Sequence, residues 1–574
     1  MTITNKLHVA FDYDRIESSF DVFQVTTSEK YISKGSYFLD KPIVSLKALS
    51  VAFDYGRTAF VLFKKGRITR AEFVDALGDE KLSAKVISPA DVKEYILFRL
   101  FLYSLGNYQS DENTFNNLTG KLYLRMSGNK KNIIALAIDV DKEMNLSANA
   151  TAFSNLSFFL KDKEVQSGAT PKYVLEKNGK LRRALSVDKG EEAYAKKGIR
   201  NHKVEIPFLE LNPDKIRQTR AYHMNSTIMK LNSRYEGYLK ADFDGVPILR
   251  TLGQRRDEDF AERSLSVVSG SKVVMHNLID DPTYLDNFET TRESLGDATG
   301  KEIPVTAASQ EGAMNIYFLH DRDYYSRKDD PYKNIERDEV AQAITLEDSS
   351  NKIIDDKKAV INTILKELTI KNDIVHTHRI SLDNWASFGF EGDWYFGTEK
   401  DNAKYFMTIH PDGSLTFETA SLLFPRFDDP KIRYLSAKLD DSSLKGKSLV
   451  MDDKGNAVMI SRTGEYCLPN PKIYSMESIS RSKEARDELL SGIVDINLYE
   501  RDGIQYYSSG LVGQGMNTGI PKASLLYRID VIHGKNIFPD ILETMSVMFV
   551  KYNSFTVLPY PFKYLREYIE IDMN

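Results

Sequence analysis

The 574-residue sequence contains one cysteine, Cys467, and therefore supports neither an internal disulfide nor a zinc cluster built on cysteine. This scarcity favours a reducing compartment, so we expect the cytoplasm. Nowhere do about 18 apolar residues run together. The first 14 residues carry charges and lack the apolar core of a signal peptide. We therefore expect a soluble protein that is neither secreted nor membrane-spanning.

The rest of the composition is that of a folded protein. Hydrophobic residues make up 42% of the chain and charged residues 28%, and there are 31 Tyr and 30 Phe. Such a composition is typical of globular rather than disordered chains. Because 574 residues exceed what one hydrophobic core organises, the length predicts several domains.

Charge is unevenly distributed along the chain. The formal net charge is −5, but residues 172 to 256 contain 19 Lys or Arg against 10 Asp or Glu, a local charge of +9. The remainder of the chain then carries −14. A basic segment in an acidic protein predicts a local channel for a polyanion. A solvated basic surface is the alternative, and the sequence leaves both open.

The first half of the chain predicts two strand-rich regions. Residues 1–110 combine strand-like runs with one buried helix at 95–105, and residues 111–260 add further strands and a basic helix. The basic helix has an apolar stripe at spacings of three and four, formed by Met224, Ile228, Leu231, Tyr235 and Tyr238. Four cations project around this stripe, where they could follow a phosphate backbone: Arg217, Arg220, Lys230 and Arg234.

The second half alternates strands and helices. Residues 261–309 predict a linker, and their acidic stretch at 280–297 predicts a loop. Strands at 314–319 and 343–346 and a helix at 356–371 then predict a small α/β unit. Three short strands follow after residue 390 and predict a meander that could begin an RNase H-type fold: 394–398, 404–410 and 414–419.

The C-terminal residues form a more distinctive pattern. Thr518-Gly519-Ile520-Pro521-Lys522 precedes a predicted strand at 525–529, a predicted helix at 539–551, and Leu558-Pro559-Tyr560-Pro561 before a last helix. That order resembles the end of the PIWI domain of prokaryotic Argonautes, where a TG-x-P-K turn, a strand, a long helix and an LPxP turn lead into the last helix.

The small α/β unit before it resembles an Argonaute MID domain. In that family a Tyr and a Lys after the first strand, a Gln at the next strand and a Lys ending the following helix hold the 5′ phosphate of a guide strand. The resemblance implies these roles for Tyr325, Lys328, Gln342 and Lys371, and it allows a Mg²⁺ ion at that phosphate. Cationic and amide donors at a helix or turn edge suit a terminal phosphate.

Taken over the chain, the resemblance implies a bilobed α/β protein with a strand-rich N-terminal half. The implied domains are an N-like β-rich domain at 1–110, a linker and reduced PAZ-like region at 111–260, a linker at 261–309, a Rossmann-like MID domain at 310–385 and an RNase H-like PIWI domain at 386–574. Lys522 and the four cations of the basic helix would contact nucleic acid.

The function that the resemblance implies is guide-dependent recognition of nucleic acid. A short guide, DNA in preference to RNA, would pair with a complementary target strand. In its length and in having a nonstandard front half, the chain also resembles the Argonaute-like component of the Ddm plasmid-defence system. That similarity implies a role in prokaryotic defence against plasmids or viruses, with a helicase-nuclease as partner.

The PIWI-like region is expected not to cut. Two-metal hydrolysis needs converging carboxylates, and active relatives carry an Asp in the opening strand, at or next to the position of Thr398. In this sequence Glu399 is the residue that could replace that Asp. Active relatives also carry a metal-binding side chain just before the LPxP turn, and no carboxylate or imidazole is present there in Ser554-Phe555-Thr556. Asp452 and Asp502 instead predict turns between strands. An active RNase H-fold nuclease and a nonenzymatic assembly or phage structural protein are the alternatives.

Overall fold

The computed structural model of the chain describes the following residues: 2–27, 39–54, 58–78, 81–107, 114–116, 121–158, 172–175, 181–184, 187, 191–197, 206–209, 213–252, 258–279, 281–320, 324–327, 329–334, 339–345, 357–382, 384–401, 403–421, 426–440, 447–469, 496–508, 523–546 and 558–573. The chain divides into two compact units. Unit one comprises residues 1–246, 464–491 and 520–523, and unit two comprises 247–463, 492–519 and 524–574. The predicted class, mixed α/β with several domains and strand-rich sheets, is confirmed.

Unit one is dominated by strands. Its strands are β1 (Thr2–Phe11), β2 (Phe20–Thr27), β3 (Ser50–Asp54), β4 (Thr58–Lys64), β5 (Leu82–Ile87), β6 (Thr114–Asn116), β7 (Leu122–Gly128), β8 (Asn132–Val140), β9 (Leu146–Asn155), β10 (Lys172–Leu175), β11 (Leu181–Ala184), β12 (Ala193–Lys197) and β13 (Leu239–Val246). Its helices are α1 (Tyr13–Ser19), α2 (Asp40–Leu46), α3 (Arg70–Leu77), α4 (Glu94–Ser104) and α5 (Arg220–Arg234).

These strands form two antiparallel sheets, in the orders β3-β4-β2-β5 and β11-β10-β12-β9-β8-β7-β6, and β1 pairs with β13. Strand β4 is buried on both faces because its central run, residues 59–63, is continuously apolar. Helix α4 is the predicted buried helix, since nine of its eleven residues are buried. None of the helices in the described part of the chain is long and apolar enough to cross a membrane.

Helix α5 is the predicted basic helix. Thr219 caps its first turn by accepting a hydrogen bond from the backbone N–H of Tyr222. The predicted apolar stripe is confirmed at four positions, Met224, Ile228, Leu231 and Tyr235, which are all buried. The spacing of three and four therefore correctly predicted that this face of the helix is buried in unit one.

Unit two contains the remaining elements. Its strands are β14 (Ile248–Leu252), β15 (Val273–Asn277), β16 (Met314–Leu319), β17 (Val340–Thr345), β18 (Trp394–Lys400), β19 (Ala403–Ile409), β20 (Leu415–Ser421), β21 (Ser448–Asp452), β22 (Ala457–Leu468), β23 (Ile496–Arg501), β24 (Ile504–Ser508) and β25 (Leu525–His533). Its helices are α6 (Glu258–Gly270), α7 (Leu285–Thr299), α8 (Lys357–Asn372), α9 (Pro430–Leu439), α10 (Phe538–Ile541) and α11 (Pro561–Met573).

A parallel three-stranded sheet, β15-β16-β17, forms one part of unit two. Helices α6, α7 and α8 share its hydrophobic core. The predicted face of α8, residues 361, 364, 365 and 368, is buried in that core. The loop predicted for the acidic stretch 280–297 is wrong, because most of it is helix α7, which buries Phe288 and Leu295 against the sheet. The proposed linker at 261–309 thus contains two helices and strand β15, and the domain bounds themselves stay a prediction.

A larger sheet with the order β14-β23-β24-β25-β22-β21-β18-β19-β20 forms the other part of unit two. The predicted meander is confirmed as β18, β19 and β20. Asp502 lies in the β23–β24 hairpin turn with positive φ, and Asp452 ends β21, as predicted. Helix α10 is followed by a 3₁₀ helix, Leu542–Ser546, where one long helix was predicted up to residue 551. The last helix, α11, packs on the sheet core.

Candidate functional site

A buried lysine ends helix α8. Lys371 lies in the last turn and is 8% exposed. Its Nζ donates to three oxygens: Tyr332 Oη at 3.1 Å, the carbonyl of Ala341 at 2.5 Å and Gln342 Oε1 at 2.9 Å. An ammonium has three N–H donors, so these three acceptors satisfy it. We call Tyr332, Ala341, Gln342 and Lys371 the lysine cluster.

The α/β connection brings these residues together. Helix α8 follows β17 and packs back along it, so its last turn returns to the start of that strand, where Ala341 and Gln342 lie. Tyr332 comes from a 3₁₀ helix, Pro331–Asn334, in the β16–β17 connection. Asp330 starts that helix, because its Oδ1 accepts from the Tyr332 backbone N–H at 3.1 Å. Three separate segments of unit two therefore converge on one ammonium.

The lysine carries its positive charge at neutral pH. Burial by itself lowers the pKa of Lys371, but the neighbouring Tyr332 oxygen and the carboxylates of Glu567 and Glu367 outweigh it. The net result is a pKa above the ordinary value for lysine. The lysine cluster thus holds a permanent cation whose direct hydrogen-bond acceptors are all uncharged.

The compensating charges form a quartet between helices α8 and α11. Glu367 and Lys371 are four residues apart on α8, and Lys563 and Glu567 are four apart on α11. Lys563 Nζ lies 3.8 Å from Glu367 Oε1 and bonds to Glu567. Burial raises the pKa of Glu567, but Lys563 and Lys371 lower it more, so this carboxylate is ionised. The charge quartet is therefore neutral in sum.

A second buried contact joins the same two helices. Asp373 follows α8 in a π-helical turn, Asp373–Thr377, and accepts from the Tyr564 hydroxyl at 2.9 Å. Its carboxylate also accepts from the Ser381 backbone N–H at 2.8 Å and from the Ser381 hydroxyl at 2.6 Å. Burial raises the pKa of Asp373 to about 6. Helix α11 thus fixes the end of α8, where Lys371 lies.

Two of the four residues that the resemblance assigned to a phosphate lie in the lysine cluster, Gln342 and Lys371. Tyr325 lies nearby but outside it. Its hydroxyl accepts from the His320 backbone N–H at 3.4 Å, and its ring packs in the same small apolar cluster as Tyr332. Lys328 lies outside the described residues. The tyrosine that contacts Lys371 is Tyr332, and the adjacent Tyr332-Lys333 pair after β16 is a signal in the sequence that could have found it.

The cations of the basic helix fall into two groups. Arg217, Lys230 and Arg234 are exposed, and we call these three the basic surface. Arg220 is half-buried, and its Nε donates to the Ile206 carbonyl at 2.9 Å, which makes it part of the packing of α5. Lys522 lies outside the described residues. The basic surface therefore presents three exposed cations.

The residues around Lys371 do not fit a divalent cation. The near oxygen donors are Gln342 Oε1 and the Ala341 carbonyl, and both accept from the Lys371 ammonium. A Mg²⁺ ion there would face that positive charge with no free carboxylate, because Glu567 bonds to Lys563. Within the described residues no three His, Cys, Asp or Glu side chains are grouped to hold a metal.

Strand β18 contains Thr398 and Glu399, the positions at which the sequence resemblance led us to expect the first carboxylate of a nuclease site. Thr398 Oγ1 donates to the Lys447 carbonyl at 3.4 Å, and Glu399 lies opposite Lys404 in the ladder with β19. Lys404 is fully buried and donates to the Ser436 carbonyl at 2.8 Å and to Asp440 at 2.5 Å, at the end of helix α9. Residues 554–556 lie outside the described part of the chain.

Comparison with known proteins finds a distant similarity among solved structures only. No protein-family model matches the chain, and no curated protein matches it. Among solved structures the chain is similar to the Argonaute of Kluyveromyces polysporus with a guide RNA, at 9% identity and a TM-score of 0.49, over 100% of this chain and 94% of that one. A similarity of this size establishes neither family nor function.

Proposed function

We propose that this chain holds a short nucleic-acid guide by its 5′ phosphate at the lysine cluster and presents the guide's bases to a complementary target. One observation carries the proposal: a buried, permanently charged Lys371 whose hydrogen-bond acceptors are neutral. A buried cation without a contacting carboxylate has a strong preference for an anionic ligand. Gln342 and Lys371 are also the residues that the sequence resemblance assigns to the guide phosphate.

Two members of the lysine cluster change roles when a phosphate arrives. Gln342 is half-buried and offers its oxygen to Lys371. Rotation of its amide frees one Lys371 N–H for the phosphate and moves the Nε2 donor from the Ala343 carbonyl, to which it donates at 3.1 Å, toward the phosphate. The Tyr332 hydroxyl accepts from Lys371 and donates to the Ala341 carbonyl at 3.0 Å, and its proton can turn from that carbonyl to a second phosphate oxygen. Each charge-assisted hydrogen bond gained contributes about 1.5 to 3 kcal/mol.

Base pairing supplies sequence specificity in this scheme, while the protein contributes phosphate contacts and shape. The basic surface on α5 supports an additional contact with a polyanion, because all three of its cations are exposed. DNA is the proposed guide and target, with RNA as the alternative chemistry.

Target recognition is proposed to occur without cleavage. The support is the identity of residues 398 and 399 in β18, a threonine and a glutamate where active relatives are expected to carry an Asp. The longer glutamate side chain would displace a metal ion from the position that an aspartate fixes. A recruited helicase-nuclease is proposed to destroy the target, in a role in prokaryotic defence that the sequence resemblance suggests.

The test compares 5′-phosphorylated and 5′-hydroxyl single strands of one sequence, each labelled at its 3′ end. Fluorescence anisotropy should give tighter binding of the phosphorylated strand by about tenfold or more, the ratio that one charge-assisted hydrogen bond supplies. DNA and RNA versions of both strands identify the preferred guide. The double variant Gln342→Ala, Lys371→Ala should bind both strands alike. Equal binding of both strands by the unmodified protein would refute the proposed site.

A further inference from the structure

The charge of the lysine cluster is balanced from the C-terminal helix. Lys371, Lys563, Glu367 and Glu567 sum to zero, and all but Glu367 are less than 10% exposed. A charge buried in this way interacts over several ångströms with little screening. A phosphate that binds Lys371 therefore brings negative charge to a site that already holds Glu567.

We infer that Glu567 is an internal competitor of the phosphate: it stabilises Lys371 in the unliganded protein and opposes the bound anion. This inference rests on the proposed function. The carboxylate stands on helix α11, while Lys371 stands on α8, so the competing charge comes from a separate element at the end of the chain.

Three features support a competitor over a purely structural ion pair. Lys563 links the two helices, because it bonds to Glu567 and its Nζ lies 3.8 Å from Glu367, one helical turn before Lys371 on α8. The raised pKa of Lys371 and the lowered pKa of Glu567 agree with this closeness of the charges. The direct partner of Glu567 is Lys563, so its removal leaves the three hydrogen bonds of Lys371 in place. The Asp373–Tyr564 bond holds α11 against the end of α8 independently of the quartet.

The inference predicts effects of opposite sign for the two charges on α11. Glu567→Gln leaves a net charge of +1 in the quartet and should raise the preference for the 5′-phosphorylated strand, because it removes a negative charge that repels the bound anion. Lys563→Met leaves −1 and should lower the preference by a similar factor. The double variant Lys563→Met, Glu567→Gln is neutral again and should bind nearly like the unmodified protein.

The experiment measures the ratio of Kd values for 5′-hydroxyl and 5′-phosphorylated DNA strands of one sequence, using the full chain and its three variants. Thermal unfolding checks that each variant is folded, and if one single variant is not, the other still tests the sign. A raised ratio in Glu567→Gln, with the double variant near the unmodified protein, supports the competitor. A lowered ratio in Lys563→Met takes its place as support only where Glu567→Gln is not folded.

Two outcomes overturn different claims. Equal binding of both strands by the unmodified protein means that the proposed function is wrong, and the competitor falls with it. A phosphate preference in the unmodified protein that Glu567→Gln lowers or leaves unchanged overturns the competitor alone. In that case Glu567 positions helix α11 without opposing the ligand.

Discussion

Replacement of Lys371 by methionine tests the phosphate site with the least change in shape. Methionine keeps the apolar stem of the side chain, while the ammonium and its three hydrogen bonds are lost. In the proposed complex the ammonium makes at least one charge-assisted bond to the phosphate, which contributes about 1.5 to 3 kcal/mol. The variant should therefore bind the 5′-phosphorylated strand roughly 10- to 150-fold more weakly.

Stability changes must be separated from this loss of binding. The Ala341 carbonyl still accepts from the Tyr332 hydroxyl at 3.0 Å, but it loses its charged partner Lys371 at 2.5 Å, and a hydrogen bond to a charged group contributes about 1.5 to 3 kcal/mol. Glu567 also loses part of its compensating charge, which adds to the destabilisation. We therefore expect a lower unfolding temperature for Lys371→Met in the absence of nucleic acid.

Lys404→Met is the matched control. Lys404 is another buried lysine of unit two, and its Nζ also makes three hydrogen bonds, to the Ser436 carbonyl, the Ser436 hydroxyl and Asp440. Those acceptors lie at the end of α9, apart from the lysine cluster. The control should lower the unfolding temperature yet keep the phosphate preference.

The assay is anisotropy titration of both variants with the two strand types, below their unfolding temperatures. Loss of phosphate preference in Lys371→Met, and its retention in Lys404→Met, is the expected result. A folded Lys371→Met that prefers the phosphorylated strand as strongly as the unmodified protein does would refute the reasoning. Equal losses in both variants would show that the preference depends on overall stability.

Three further predictions follow from the described residues. Because the pKa of Asp373 rises from 3.8 in the unfolded chain to about 6 in the fold, the stability from its protonated form is complete below about pH 4 and is lost as pH rises through 6. Asp373→Asn should remove up to about 3 kcal/mol of that pH dependence in urea unfolding, and an unchanged pH profile would contradict the assignment. Reversing the three charges of the basic surface should weaken strand binding and flatten its salt dependence, whereas reversal of three exposed cations elsewhere in unit one, Lys64, Arg67 and Lys85, should do neither. The purified chain with guide, target and Mg²⁺ or Mn²⁺ should leave the target intact on a denaturing gel, and cutting that Glu399→Ala abolishes would restore the nuclease alternative.

Sequence patterns predicted those elements whose burial is periodic. The stripe of α5 and the meander β18–β20 were placed correctly, because apolar residues recur at helical or strand spacing there. Helix α7 was missed, since its sequence is acidic and it buries few large side chains, among them Phe288 and Leu295. The composition of the segment cannot show that the parallel sheet covers the narrow apolar face of α7.

The residues of the candidate site were likewise predicted only in part from the sequence. The resemblance selected Gln342 and Lys371, which the fold joins at 2.9 Å. It selected Tyr325 instead of Tyr332. Which tyrosine reaches Lys371 depends on the path of the β16–β17 connection, and the turn at Asp330 determines that path. Glu567 could not be found from sequence, since its nearness to Lys371 comes from packing of α11 on α8, almost 200 residues apart in the chain.

The nucleic acid that copurifies with the chain from its native host tests guide binding most directly. The account predicts short strands that 5′-kinase labelling detects only after phosphatase treatment, because their 5′ ends carry the phosphate held at Lys371. The Lys371→Met variant should retain far fewer of them than the Lys404→Met control. A folded preparation without short strands, or with strands that label without phosphatase, would contradict the account.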